Sequence, residues 1–221
     1  FPKALPVTEL ANEKLMVAGL ITGRRSPIAW DTDNAQVDFY DMKGILERFL
    51  SAIGVQKYTV ERGEHFAMHP GKTAFFKKGR DVIAILGEIH PTVAANFGIT
   101  QSVYVFEMEV DTLLRYRKKK NTISSLPKYP ASTRDLAILV DAELSTAEIE
   151  RVIAKKGGKF FRGATLFDVY MGKQVGSGKK SMAFHLHFQS DDKTLTDEEV
   201  DAAFVDILEA AQSQLHAELR A

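Results

Sequence analysis

"LFDVYMGKQVGSGKKSMAFHLHF" spans Leu166 to Phe188. Two readings compete for it. Its middle, Gly172 to Ser181, is rich in glycine and lysine and ends in serine, as phosphate-binding loops do. Such a loop requires the spacing G-x-x-x-x-G-K-[ST] between a strand and a helix, so that backbone amides converge on the phosphate at the helix N-terminus. Here Gly172 and Gly178 stand one residue too far apart, and Lys179 is followed by Lys180. Beyond the lysines, Met182, Phe184, Leu186 and Phe188 alternate with Ala183, His185 and His187, which is the two-residue period of a strand, not a helix. The stretch therefore predicts a β-hairpin with a basic tip, its arms being Leu166–Tyr170 and 180–189.

Working outward, Arg134–Val140 has strand periodicity. Ser145 and Glu148 form a capping box that opens a helix with Ile149, Val152 and Ile153 on one face, and Gly157-Gly158 ends it. Thr196 and Glu199 form a second box, whose helix carries Val200, Phe204, Ile207, Leu208 and Ala211 at helical spacing. Leu215–Arg220 alternates as a short last strand. The order β-α-β-β-α-β is the ferredoxin-like arrangement, with two helices over one sheet face and the other face open.

Alternation then sorts the side chains. Leu136, Ile138 and Val140 face the core, leaving Asp135, Ala137 and Leu139 opposite. Phe167 and Val169 are expected inward, with Leu166, Asp168 and Tyr170 outward. Met182, Phe184, Leu186 and Phe188 go inward, with Ser181, Ala183, His185 and His187 outward. In the last strand Leu215, Ala217 and Leu219 go inward, and His216, Glu218 and Arg220 outward. The outward set offers small residues that let a flat base approach, a phenol to stack on it, carboxylate and hydroxyl to bond its edges, and a guanidinium to stack or bind phosphate. Lys179 and Lys180 at the hairpin tip would add supporting charge toward phosphates. A solvated polar sheet face, common in antiparallel sheets, fits the pattern equally well.

Upstream, "RYRKKKNTISSLPKYP" (Arg115–Pro130) carries a basic run and then Asn, Thr, Ser and Pro, which builds little core and reads as a linker. It divides the chain into 1–122 and 123–221. In the first part Leu15–Gly23, "YTVERG", "DVIAILGEI" and "VYVFEMEV" read as strands. Met42, Ile45, Leu46, Phe49, Leu50 and Ile53 recur at helical spacing up to a stop at Gly54. The overall class is α+β.

The 221 residues carry 29 basic and 29 acidic side chains, so net charge does not announce a nucleic-acid binder and any basic surface must be local. No apolar run is long enough to span a bilayer, and no secretory signal pattern is present. The absence of cysteine rules out disulfides and thiolate chemistry and fits a cytoplasmic protein. The opening Phe1-Pro2, without Met, reads as the start of a piece excised from something longer. His65 and His69, with His90 and Glu88, are the candidate metal ligands, but Pro70 and Gly71 break any helix that would align the first pair, and no metal site is expected. No H-E-x-x-H, G-x-S-x-G or G-x-G-x-x-G motif occurs, so no catalytic residues are assigned. A metal-dependent hydrolase built on those histidines, and a protein-interaction module docking through the open sheet face without RNA, are the competing function classes.

The motifs "YPASTRDLAILV" (Tyr129–Val140), "LFDVYMG" (Leu166–Gly172), "GKKSMAFHLHF" (Gly178–Phe188), "TLTDEEV" (Thr194–Val200) and "AELR" (Ala217–Arg220) come in an order that resembles the ferredoxin-fold anticodon-binding domain ending the beta subunit of bacterial phenylalanyl-tRNA synthetases. "VDFYDMKGILERFL" (Val37–Leu50), "HPGKTA" (His69–Ala74), "GEIHP" (Gly87–Pro91) and "FEMEVDTLL" (Phe106–Leu114) are similar to the class II synthetase-like, non-catalytic module that precedes it. The resemblance implies a C-terminal fragment of that subunit, and with it an α2β2 ligase that uses ATP and Mg2+ and whose chemistry resides in the alpha subunit. It implies no cofactor in this fragment, a scaffolding role toward alpha, and a sheet face for the anticodon stem-loop of tRNA(Phe). Motif by motif, the RNA contacts fall on Asp168, Tyr170, Ser181 and Arg220, with Ala137 as a floor residue and His185, His216, Lys179 and Lys180 around them. Two departures stand out. Tyr129 occupies a position where the family usually has Phe, and His216 one where it usually has Gly before the final A-x-L-R.

Overall fold

A computed structural model describes residues 13–118 and 126–220. The Lys119-Lys120 part of the basic run, the boundary at 122/123 and the Phe1-Pro2 opening lie outside the described residues. The chain forms two compact units, Phe1–Thr122 and Ile123–Ala221.

The first unit is an antiparallel sheet of β1 (Met16–Thr22), β2 (Thr59–Arg62), β3 (Met68–Lys78), β4 (Asp81–Ile89) and β5 (Val103–Glu109), in the order β1-β5-β4-β3-β2. Helix α1 (Phe39–Ala52) starts at Asp38, whose carboxylate accepts from the Tyr40 and Asp41 amides, while Asp41 accepts from the Asp38 amide in return. Its Met42, Leu46 and Leu50 are fully buried, against a core that includes Phe76, Leu86 and Phe106 of the sheet. Gly54 lies just past the helix with φ +79°, the left-handed conformation that glycine adopts without a steric penalty. Two short helices, α2 (Pro91–Asn96) and α3 (Val110–Tyr116), follow β4 and β5.

Strand β3 is not among the expected strands, and it contains Pro70 and Gly71, residues that ordinarily interrupt a ladder. The structure accommodates them in a register shift between Met68 and Thr73, where a missing amide donor costs no ladder bond. Pairing resumes at Thr73 and places Phe76 in the core.

The second unit carries β6 (Ser132–Asp141), α4 (Thr146–Lys156), β7 (Phe161–Tyr170), β8 (Lys179–Phe188), α5 (Asp197–Leu215) and β9 (Glu218–Leu219). The sheet order β7-β8-β6-β9, antiparallel throughout, is that of the ferredoxin-like fold. Both capping boxes form as read: Ser145 accepts from the Glu148 amide, and Thr196 from that of Glu199. Leu136, Ile138, Val140, Met182, Phe184, Leu186 and Phe188 are buried together with Ile149 and Ile153 of α4 and Val200, Ile207 and Ala211 of α5. At ~25 cal/mol per Å2 of apolar surface, each of these side chains larger than alanine contributes roughly 1.5–3 kcal/mol. This burial ties β6 and β8 to the helices and leaves their other face open.

Two expectations about the strands are corrected. In β7 the register to β8 shifts between Leu166, opposite Phe184, and Asp168, opposite Ala183. Phe167 is the extra residue of this bulge. Leu166 therefore packs toward the core. Phe167 turns out of it, 49% exposed, and Val169 opposite Met182 stays half exposed at the sheet edge. At the chain's end, α5 runs on through Leu215, and β9 is only two residues long. His216 is not a strand residue but the left-handed cap of α5, with φ 51° and ψ 33°.

Candidate nucleic-acid interface

The open face of the second sheet is a grid set by strand register. Ala137 stands opposite Ala183, Leu139 opposite Ser181 and Asp135 opposite His185 across β6 and β8. Asp168 and Tyr170 of β7 stand opposite Ala183 and Ser181, the bulge having restored them to this face. On the far side the Arg220 amide donates to the Ala137 carbonyl, so Arg220 extends β9 beside the same alanine. Four separate strands thus bring Ala137, Asp168, Tyr170, Ser181 and Arg220 together.

Three of these side chains are coupled. The Arg220 guanidinium donates from Nη1 to Ser181 Oγ at 3.0 Å and lies 5.6 Å from the centroid of the Tyr170 ring. Ser181 is 2% exposed, so in this arrangement its hydroxyl anchors Arg220 instead of facing solvent. Tyr170 is in turn positioned by Gly172: a Cβ there would stand 2.7 Å from Tyr170 Cζ, closer than carbons approach, so only glycine leaves room for the ring as placed.

Toward the other end of the face, the His185 Nδ1 meets Asp135 Oδ1 at 2.6 Å. The Phe167 ring stacks on the His185 ring with centroids 3.9 Å apart and an interplanar angle of 14°. His187 Nε2 meets Thr165 Oγ1 at 3.2 Å. The face is therefore a preorganised set of rings and hydrogen-bonding groups around two small residues.

The basic residues of the hairpin are placed differently from expectation. Lys179 is on the open face and paired with Glu218. Lys180 stands opposite the core-facing Val140, and alternation sends its side chain to the helix side. There its ammonium donates to the Ala142 and Leu144 carbonyls at 2.9 and 2.6 Å, so it braces the turn before α4 and is turned away from the open face. The hairpin tip folds as a short 3-10 turn over 173–175 with Val175 buried, and Gly176 and Gly178 take positive φ. His216, as a helix cap, is exposed and is not part of the strand grid.

In the first unit each candidate metal-ligating histidine uses Nδ1 locally, accepting from the Ala67, Gly71 and Thr92 amides for His65, His69 and His90 respectively. Among the described residues no group of three or more His, Asp or Glu is placed to hold a metal ion. Glu88, 8% exposed, instead pairs with Lys72 and accepts from Ser102 Oγ at 2.8 Å. Burial works against its ionisation, but the bonds from Lys72 and Ser102 outweigh it and hold the carboxyl below the usual glutamate range.

A four-stranded antiparallel sheet with helices on one side and stacking and hydrogen-bonding groups on the other is the build of a ferredoxin-fold anticodon-binding domain, and the family model described as "Ferredoxin-fold anticodon binding domain" matches residues 127–220. A second model, "Phenylalanyl tRNA synthetase beta chain CLM domain", matches residues 1–110. The chain belongs to the family of phenylalanine–tRNA ligase beta subunits. It is 39% identical over 213 residues to the beta subunit from Syntrophotalea carbinolica, covering 96% of this chain and 26% of that protein. The beta subunit from Lactiplantibacillus plantarum is 38% identical over 206 residues, 92% of this chain and 26% of its own length. That of Listeria monocytogenes is 39% identical over 212 residues, 96% and 26%. The chain thus spans about a quarter of the length of the curated relatives it matches.

Proposed function

We propose that this chain is the C-terminal part of a phenylalanine–tRNA ligase beta subunit, and that the open face of its second sheet receives the anticodon stem-loop of tRNA(Phe). The observation that carries the reading is the convergence of Tyr170, Arg220 and Ser181 beside the Ala137–Ala183 floor. The floor admits a flat base, Tyr170 stacks on it, and Asp168 bonds its edges. Arg220 supplies both a stacking plane and a positive charge. The phosphate contribution is modest, because Lys179 is paired with Glu218 and Lys180 is turned away. Binding is therefore carried mainly by stacking and edge recognition, with a shallow dependence on salt.

In this proposal the first unit packs against the alpha subunit in an α2β2 assembly that works in the cytoplasm. The aminoacylation chemistry with ATP and Mg2+ belongs to alpha. His65, His69, His90 and Glu88 do not fit a Mg2+ site, each being committed to a local amide or to Lys72.

Filter binding of tRNA(Phe) at one fixed salt concentration tests the sheet-face reading. The doubly substituted chain, Tyr170→Ala with Arg220→Ala, is expected to lose at least tenfold in affinity, since base–aromatic stacking is worth about 1–3 kcal/mol per base. Equal affinities for the two proteins would sink the assignment.

A further inference from the structure

Counted back from Tyr170, strict alternation places Phe167 in the core and leaves Tyr170 as the only aromatic ring that β7 shows to the open face. With the β7 bulge, Phe167 emerges beside Asp168 on the same side. We propose that Phe167, held flat against His185, is a second stacking platform for an anticodon-loop base, distinct from Tyr170.

The geometry supports a platform and not an idle exposed ring. The Phe167 and His185 rings are nearly parallel at 14° with centroids 3.9 Å apart, so one ring face is fixed by a neighbour. His185 is itself held by Asp135 at 2.6 Å, across β8 and β6. The ring is therefore preorganised from three strands, and its orientation is settled before any ligand arrives. Phe167 remains 49% exposed and contributes nothing to the buried core cluster, so a large apolar ring is kept in water where a polar residue would be tolerated. Phe167 lies two to three strand steps from Tyr170, the bulge shortening the span, so at ~3.3 Å per residue the two are roughly 7–10 Å apart, which suits two different bases and not one. The group stacked on Phe167, His185, is turned to the Asp135 carboxylate, so this part of the face attracts a base and not a phosphate.

This inference rests on the sheet face being the anticodon site, and the test separates the two. Anticodon stem-loops carrying 2-aminopurine at single loop positions are titrated into the 221-residue chain, reading both affinity and quenching of the probe. Phe167→Leu keeps an apolar side chain and removes the ring; Phe167→Tyr restores a ring. Phe167→Leu is expected to weaken binding roughly tenfold and to abolish quenching at one probe position, with quenching at another position kept by Tyr170. Phe167→Tyr is expected to restore both, and the salt dependence of the two variants is expected to match that of the unsubstituted chain. An unchanged melting temperature for Phe167→Leu accompanies this, because the residue is outside the core. If Phe167→Leu binds and quenches as the unsubstituted chain does while Tyr170→Ala loses affinity, the second platform is refuted and the sheet-face reading stands. If neither substitution matters, or the unsubstituted chain does not bind at millimolar concentration, both fall.

Discussion

Replacing Gly172 with alanine tests how the Tyr170–Arg220 pair is built without touching either residue. The backbone at Gly172 is extended, with φ −172° and ψ −179°, so alanine adopts it without strain. The obstacle is the Tyr170 ring: the new Cβ would stand 2.7 Å from Cζ and 3.1 Å from Cε1. Carbon atoms settle at about 3.5–4.0 Å, so the ring tip must swing by about 1 Å. Arg220 cannot follow freely, because Ser181 holds its guanidinium at 3.0 Å. The ring-to-guanidinium separation is already 5.6 Å, close to the ~6 Å limit of a useful cation–π contact. Losing that contact costs about 0.5–1 kcal/mol, which is roughly two- to fivefold in affinity if the pair binds as a unit. Folding stability should fall by less, about 0.5 kcal/mol, since one exposed side chain rotates off its preferred angle. Gly163→Ala is the matched control: it lies in β7, the strand that carries Tyr170, and its Cβ would meet nothing within 4 Å. Anisotropy titrations of a labelled anticodon stem-loop, with the Tyr170 ring resonances followed by NMR, give both readouts. The reasoning is refuted if Gly172→Ala leaves affinity and ring resonances unchanged, or if Gly163→Ala weakens binding as much.

Two further substitutions probe the scaffold. His216→Gly should stabilise the second unit by about 0.5–1 kcal/mol in urea unfolding, because His216 caps α5 at φ 51°, a conformation that costs a side-chain-bearing residue and not glycine; a loss of stability would mean the imidazole has a compensating partner. Lys72→Met removes a bond that keeps Glu88 ionised. A carboxylate whose folded pKa is depressed adds stability that is fully present above its unfolded value, about 4.3, and lost as pH falls through the folded one. The variant should therefore lose about 1 kcal/mol at neutral pH, discounted because Lys72 is half exposed, and its acid unfolding should begin at higher pH. Thermal melts between about pH 3 and 7 check this, and a shift of acid unfolding to lower pH would contradict it.

Much of the second unit is legible in the residues because its signals are redundant. In β8 the large apolar residues alternate without interruption from Met182 to Phe188, and both helices announce themselves with a hydroxyl and a glutamate three apart. The failures fall where one residue changes parity. Leu166 and Phe167 are both large and apolar, so nothing in the pair says which faces the core, and the extra residue of the bulge reverses the answer. Alternation puts Asp168 and Tyr170 on the right face only because the bulge lies before them. The end of α5 is ambiguous because Leu215 continues both a helical and an alternating pattern, and His216 stands where a glycine would have marked the stop. Charge groups Lys180 with its neighbour, whereas strand parity sends it to the other face. In the first unit, Pro70-Gly71 hides β3, since a proline inside a ladder is legible only once the register shift that accommodates it is known. Contacts such as Arg220 with Ser181, 39 residues apart in sequence, depend on the four-strand register and are not local properties of any motif.

The most direct measurement is a map of amide and methyl chemical-shift changes in the isotopically labelled chain on addition of an anticodon stem-loop. The largest changes are expected on Ala137, Phe167, Asp168, Tyr170, Ser181, Ala183 and Arg220, with Ile149 of α4 and Ile207 of α5 on the opposite face unmoved. Changes concentrated on the helix face or on the first unit, or none at saturating RNA, would contradict it.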